Sequence, residues 1–92
     1  MAKIELKRFG TVLTGRPFGA QTYAELKKEF GQEKVEFDFS GVSSMGSSFG
    51  EEVMVPFARE QGDAIKVWAA NKPVKNCIDL IVSDFNIRVE YL

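Results

Sequence analysis

Residues 35–48, which read VEFDFSGVSSMGSS, place a β-prone segment directly before a loop of serines and glycines, and this junction indicates the fold. The segment Val35–Phe39 is rich in the β-branched and aromatic residues that suit a strand. Beyond the loop, apolar residues recur at helical spacing and predict a helix from Phe49 to about Gln61. Pro56 lies inside that helix and is expected to kink it or to end it early.

The same alternation of strands and helices extends to both sides of this junction. Period-two patterns and helical stripes predict strands at Lys3–Phe9, Val12–Leu13, Ile65–Ala70 and Ile87–Tyr91, and helices at Pro17–Phe30 and Val74–Phe85. Strands that alternate with helices are typical of a parallel sheet with right-handed crossovers. The sequence therefore predicts an α/β domain with a mostly parallel sheet of four to five strands and three helices. The apolar stripe of the Val74–Phe85 helix is expected to pack on that sheet.

Length and composition limit the classes of function. Residues 1–92 suit a single domain with one hydrophobic core. Twelve basic and thirteen acidic residues give a net charge of −1, so there is no basic excess to bind nucleic acid. No apolar run reaches the roughly 20 residues of a membrane span. The first residues lack the apolar middle of a signal peptide, and the cytoplasm is the expected location.

The candidate chemical groups are few. The chain has no histidine, so the commonest general base and metal ligand is absent, and no residue spacing suggests a metal or cofactor site. Cys77, the single cysteine, lies on the apolar stripe and is expected to be an inert core residue. Trp68 shares a strand face with Lys66, and packing beneath a helix is favoured over partial exposure. Asp38 is expected to order the turn that follows its strand.

The serine loop offers two distinct hydroxyl groups. Ser48 and Glu51 have the S-x-x-E spacing of a capping box, which predicts Ser48 as the N-cap of the second helix. Ser47 has no such role and is expected to expose its hydroxyl. Glu51 and Glu52 point about 100° apart on a helix and favour its dipole, so they do not form a catalytic carboxylate pair. Arg16 precedes Pro17 and is a candidate anion contact at the same end of the sheet.

Residues 35–42 (VEFDFSGV) and 46–49 (GSSF) together resemble the central motif of STAS domains, the family of anti-sigma-factor antagonists. With Gly50-Glu51-Glu52 after it, the motif looks closer to the STAS-like domain family of unknown function. In the antagonist branch a serine at the position of Ser47 is phosphorylated by a partner ATPase kinase, so the resemblance implies a switchable protein-binding module. Gly46 stands where that family has aspartate, and Phe49 stands where it has glycine.

These observations predict a non-catalytic regulatory domain that binds another protein, with an anti-sigma-type ATPase or kinase as the partner class implied by the resemblance. The expected partner-binding residues are Gly46, Ser47, Ser48, Phe49, Gly50, Glu51 and Glu52, with Ser47 as the candidate phosphorylation site. The alternative function is a small-anion or nucleotide sensor that uses Arg16 and the Ser47–Ser48 helix start. A serine-dependent enzyme would need a base that the sequence does not supply. A homodimer is expected only if the apolar stripe of the last helix is left partly exposed.

Overall fold

The computed structural model describes residues 1–92 and confirms the α/β class with three helices and a mostly parallel sheet. In chain order the elements are β1 (Ala2–Glu5), a 3-10 helix (Leu6–Phe9), β2 (Val12–Leu13), α1 (Arg16–Phe30), β3 (Val35–Asp38), β4 (Ser44–Met45), α2 (Ser47–Arg59), β5 (Ala64–Trp68), α3 (Lys72–Phe85) and β6 (Arg88–Tyr91). The main sheet has four strands, and β2 and β4 form a separate two-stranded sheet.

The main sheet is covered by helices on one face only. Its strand order is β1-β3-β5-β6, and every neighbouring pair is parallel. Each crossover therefore steps in the same direction across the sheet, and right-handed crossovers of this kind place all their helices on the same side. Ile4, Phe37 and Val67 share a register row on the covered face and are fully buried.

The opposite face of the sheet is open to solvent and carries charged side chains. Across the four strands, Lys3 pairs in register with Glu36, and Lys66 pairs with Glu90. Trp68 lies on this open face, so the expectation that it packs beneath a helix is wrong. Its indole Nε1–H donates a hydrogen bond to the Glu36 carboxylate at 2.7 Å, and the Lys3 ammonium lies 4.0 Å from the ring centroid. Because all three helices lie on the other face, none is available to cover this side chain.

Two predicted strands end at least two residues earlier in the structure. The predicted strand Lys3–Phe9 ends at Glu5, and residues from Leu6 onward form the 3-10 helix. Leu6 is 1% exposed, so this helical turn buries the same side chain that a strand would have buried. The strand predicted to reach Ala70 ends at Trp68, because Ala69 adopts a left-handed backbone conformation with φ of 56° that leaves the strand.

The second helix starts earlier than predicted, at Ser47, and it does not end at Pro56 but continues to Arg59. Proline has no N–H to offer the carbonyl group of Glu52, one turn earlier, so one backbone hydrogen bond of the helix is missing. The buried face of α2 nevertheless continues past the proline to Phe57 and Ala58. Packing of this face against the core keeps the last turn helical.

The predicted apolar stripe of α3 is buried within the chain itself. Val74, Ile78 and Ile81 are at most 1% exposed. Cys77 is half-buried and packs against the core rather than lying within it, and burial raises the pKa of its thiol. Val82 and Phe85, which complete the stripe, are likewise partly buried and pack against the core, and the homodimer stays a prediction. No helix has both the length and the apolar character needed to cross a membrane.

Candidate functional site

The serine loop, residues 40–48, lies at the carboxyl end of the main sheet and is held in place by backbone hydrogen bonds. Ser44 and Met45 within the loop form β4, which pairs in parallel with β2 through Val12–Ser44 and Leu13–Met45. The Ser43 amide donates to the Thr11 carbonyl at 2.7 Å, and the Gly46 amide donates to the Leu13 carbonyl at 2.8 Å. The Val12–Leu13 strand was expected from the sequence, whereas its pairing with the serine loop is seen only in the structure.

Side chains from both flanks also fix this loop. The Asp38 carboxylate accepts hydrogen bonds from the Ser40 amide at 2.9 Å and from the Ser40 hydroxyl at 2.8 Å, which confirms that Asp38 orders the turn. On the other side, the Asn71 amide group donates to the Val42 and Ser43 carbonyls. Asn71 also caps α3, since its side-chain oxygen accepts from the Val74 amide. The loop is therefore tied to β2, β3 and α3.

The N-terminus of α2 has no side-chain cap, so the predicted capping box is wrong. The N-cap is Gly46, which has extended backbone angles, and the first helical hydrogen bond runs from the Gly50 amide to the Gly46 carbonyl. Ser48 is consequently the second residue of the helix rather than its cap. Glu51 does not reach back to the helix start, because its carboxylate is bound by Arg16.

Arg16, the first residue of α1, lies beside the start of α2, as its predicted position at this end of the sheet required. Its guanidinium donates to Glu52 at 2.6 Å, to Glu51 at 3.1 Å and to the Ser48 hydroxyl at 3.5 Å. We call these four residues the Arg16 cluster. Hydrogen bonds first to Glu51 and then to Glu52 raise the pKa of Arg16. The Arg16 side chain is 53% exposed, so this cluster is a surface feature with one more acid than base.

The close approach of α1 and α2 brings this cluster together. A Cβ atom placed on Gly19 would lie 2.9 Å from both the Cα and the carbonyl oxygen of Phe49, so the two helices meet backbone to backbone at this point. The Phe18 and Phe49 rings pack beside it with their centroids 5.1 Å apart. Gly19 lies one turn after Arg16, and the contact therefore sets the distance from the guanidinium to the carboxylates.

Two of the residues predicted to contact a partner are buried. Phe49 is 0% exposed and lies in the core, so it cannot serve as an apolar anchor. Gly50 is also buried, and a Cβ atom there would lie 2.6 Å from the Ile81 Cδ1 atom. Its small size admits a side chain of α3, not a partner. The predicted binding residues that reach the surface are Gly46, Ser47, Ser48, Glu51 and Glu52, and we call these the α2 surface.

Ser47 is the residue of the α2 surface whose side chain has no hydrogen-bond or ion-pair partner within the chain. It is half-buried at the first position of the helix, and its hydroxyl makes no hydrogen bond within the chain. The nearby carboxylates of Glu51 and Glu52 both face Arg16. A hydroxyl without a hydrogen-bonded base is not activated as a nucleophile. The geometry instead presents Ser47 as an accessible group on a rigid loop.

Comparison with known proteins identifies one family. A family model described as a STAS-like domain of unknown function matches residues 14–75, which is more than half of the chain. The matched range includes Arg16, β3, the serine loop and all of α2. Comparisons with curated proteins and with solved structures gave no match. The chain therefore belongs to the family of STAS-like domains of unknown function.

Proposed function

We propose that this domain is a non-catalytic regulatory module that binds a partner protein through the α2 surface. Membership of the STAS-like family supports a regulatory role. The resemblance of the serine loop to anti-sigma-factor antagonists supports an ATPase or kinase as the partner class. The observation that carries the proposal is the free hydroxyl of Ser47 beside an uncapped helix start, on a loop already held by backbone hydrogen bonds.

A rigid loop and an uncapped helix favour binding for two physical reasons. Ordering a flexible loop on association costs free energy, and the bonds from the serine loop to β2 and Asn71 mean that little ordering is left. The first amides of a helix have no partner inside the helix, and Gly46 supplies no side-chain acceptor. These N–H groups are free to donate to a carboxylate or carbonyl of the partner.

We further propose that phosphorylation of Ser47 switches the α2 surface. A phosphate of about −2 charge at a helix N-terminus gains from the helix dipole and from the free amides. It also lies one turn from Glu51, and like charges at this spacing repel. Arginine binds phosphate through two parallel hydrogen bonds, so the phosphate would compete with Glu51 and Glu52 for the Arg16 guanidinium. Loss of those ion pairs would alter both the charge and the shape of the surface.

The alternative function, a small-anion or nucleotide sensor at the same helix start, has one observation in its favour and one against it. The uncapped N-terminus of α2 offers free amide donors. The Arg16 guanidinium, however, already pairs with Glu51 and Glu52, so an incoming anion would have to displace two carboxylates. We therefore rank this function below partner binding. A thermal-shift screen with nucleotides tests it, since a ligand of the folded state raises the unfolding temperature.

The test of partner binding begins with a pull-down from the native cell and continues with calorimetry on the purified partner. We expect Ser47→Glu to weaken binding at least tenfold, because a third acid would lie beside Glu51 and Glu52. Ser47→Ala should bind the partner about as tightly as the unphosphorylated natural chain does. Ser83→Glu is the matched control, since it makes the same change at an exposed serine on α3.

The comparison among these variants decides the proposal. Each must first show a cooperative unfolding transition like that of the natural chain. If folded Ser47→Glu binds as tightly as the natural chain, the α2 surface is not the interface. If Ser83→Glu alone weakens binding, the partner contacts the exposed side of α3 instead.

A further inference from the structure

A cavity of about 360 Å³ lies at the amino end of the main sheet, opposite the serine loop. Its wall comes from the start of β3, from β5 and from β6, and half of its ten lining residues are hydrophobic. Ile65 and Val89 contribute backbone to the wall, because their side chains lie on the helix-covered face and Ile65 is only 2% exposed. The apolar lining residues on the side of Lys66 and Arg88 are Ala64, which lies on the same strand face, and Met1. Nothing in the proposed regulatory function uses this cavity.

The cavity occurs where β3 and β5 separate. The two strands pair in register at Phe37–Val67 and Asp38–Trp68, toward their carboxyl ends. At the amino end, the Gln61 side chain takes the place of a strand partner. Its oxygen accepts from the Val35 amide at 3.1 Å, and its nitrogen donates to the Val35 carbonyl at 3.1 Å and to the Ala64 carbonyl at 3.0 Å. These strand-end backbone groups are therefore satisfied, and the lining side chains provide the charge that faces the cavity.

The charged side chains of the wall are mostly basic. Lys34, Lys66 and Arg88 line the cavity with a single acid, Glu90, although the chain as a whole has a net charge of −1. Neither lysine forms an ion pair within the chain. The Arg88 guanidinium donates one hydrogen bond, to the Gly62 carbonyl at 3.0 Å, which leaves its other N–H groups free.

We propose that this cavity binds a small organic anion, with its carboxylate or phosphate facing Lys34, Lys66 and Arg88 and its apolar part against Met1 and Ala64. The volume falls within the range of roughly 300–1,000 Å³ that is usual for small-molecule sites, near its lower end. Apolar walls with a few converging charged groups are also the usual composition of such sites. The site is separate from the α2 surface, so the proposal of anion binding does not depend on the proposal of partner binding.

The test is an NMR titration of the isotope-labelled full chain with naphthoate, which combines one negative charge with an apolar ring system. Naphthoate should shift the amide signals of Ile65 and Val89 and leave the signal of Ser47 in place. Neutral naphthalenemethanol, which has the same ring system, should bind at least tenfold more weakly. Inorganic phosphate, which lacks the apolar part, should also bind more weakly. Added salt should weaken the binding of naphthoate, because the cations of the site are partly exposed.

Substitutions then test the residues. Replacing Lys34 and Lys66 together by glutamine removes two cations with little change in length, and it should weaken naphthoate binding by about tenfold or more. The matched control replaces Lys28 and Lys72 by glutamine, since both are exposed and lie outside the cavity. The proposal is overturned if the alcohol binds as tightly as naphthoate, if the shifted amides lie elsewhere, or if the control pair weakens binding equally. An absence of any shift with naphthoate overturns it as well.

Discussion

Replacing Gly19 by alanine should destabilise this domain, even though alanine is the better helix former. The new Cβ atom would lie 2.9 Å from two backbone atoms of Phe49 and 3.0 Å from the Glu52 Cβ atom. Ordinary contacts between carbon atoms are about 3.5–4.0 Å. Backbone atoms cannot rotate away as the end of a side chain can, so α1 has to move away from α2 by several tenths of an ångström.

Two opposing contributions determine the size of the effect. Alanine in place of glycine in a helix interior stabilises by about 1 kcal/mol. Overpacking of a buried site costs about 1–3 kcal/mol, and the backbone contacts at Gly19 place the cost near or beyond the upper value. The expected net loss is therefore about 1–2 kcal/mol out of a total stability on the order of 5–15 kcal/mol. A domain of this size should also unfold at a temperature lower by roughly 4–8 °C for each kcal/mol lost.

The assay is urea denaturation of the natural chain and of Gly19→Ala, with the free energy of unfolding extrapolated to water. Ala20→Gly is the control, because Ala20 is exposed on the same helix and reports helix propensity without a packing contact. We expect Ala20→Gly to lose about 1 kcal/mol. If Gly19→Ala is as stable as the natural chain, or more stable, helix propensity dominates. The close approach of α1 and Phe49, which positions Arg16, would then be refuted.

Two further predictions concern a helix cap and a partly buried phenol. Asn71→Ala should lower the free energy of unfolding by about 1–2 kcal/mol, because Asn71 caps α3. Ser48→Ala should lower it by less than about 0.5 kcal/mol, because Ser48 is not a cap. If urea denaturation shows equal losses for the two variants, the observed start of α2 is contradicted. Burial, followed by the hydrogen bond to Asp79, raises the pKa of Tyr91 above its ordinary value of 10.0. The stability that depends on the protonated phenol is therefore fully present below about pH 10 and is lost as the pH rises through the pKa of the folded state. Between about pH 9 and pH 11, Tyr91→Phe should therefore lose less stability than the natural chain does. If denaturant titrations at the two pH values show equal losses for the two proteins, a contribution from Tyr91 is excluded.

Much of the fold could be predicted from the sequence, because local patterns encode it. The β-prone segment before the serine loop became β3, and the apolar stripe of the last helix became the buried side of α3. The helix predicted from Pro17 to Phe30 differs by one residue from the observed α1. These predictions needed only the repeat of apolar residues along a short segment and the turn residues at its ends.

The candidate site was predicted in position but not in detail. Arg16 and the serine loop were expected at the same end of the sheet, because the carboxyl ends of parallel strands meet there. The S-x-x-E spacing, however, predicted a cap at Ser48. Local spacing carries no information on Arg16, which lies 35 residues from Glu51 in the chain and binds its carboxylate. A local hydrogen bond was thus replaced by a distant ion pair.

The remaining features depend on the strand order, which no single segment of the sequence encodes. The order β1-β3-β5-β6 leaves one face of the sheet open, and Trp68 lies on that face with Glu36 and Lys3 rather than beneath a helix. The same packing buries Phe49 and brings the Gln61 amide between β3 and β5. The sequence by itself determined which segments are strands and helices, because hydrophobic periodicity is a local property. Only the tertiary structure decided which side chains reach the surface, because burial depends on the elements that pack from elsewhere in the chain.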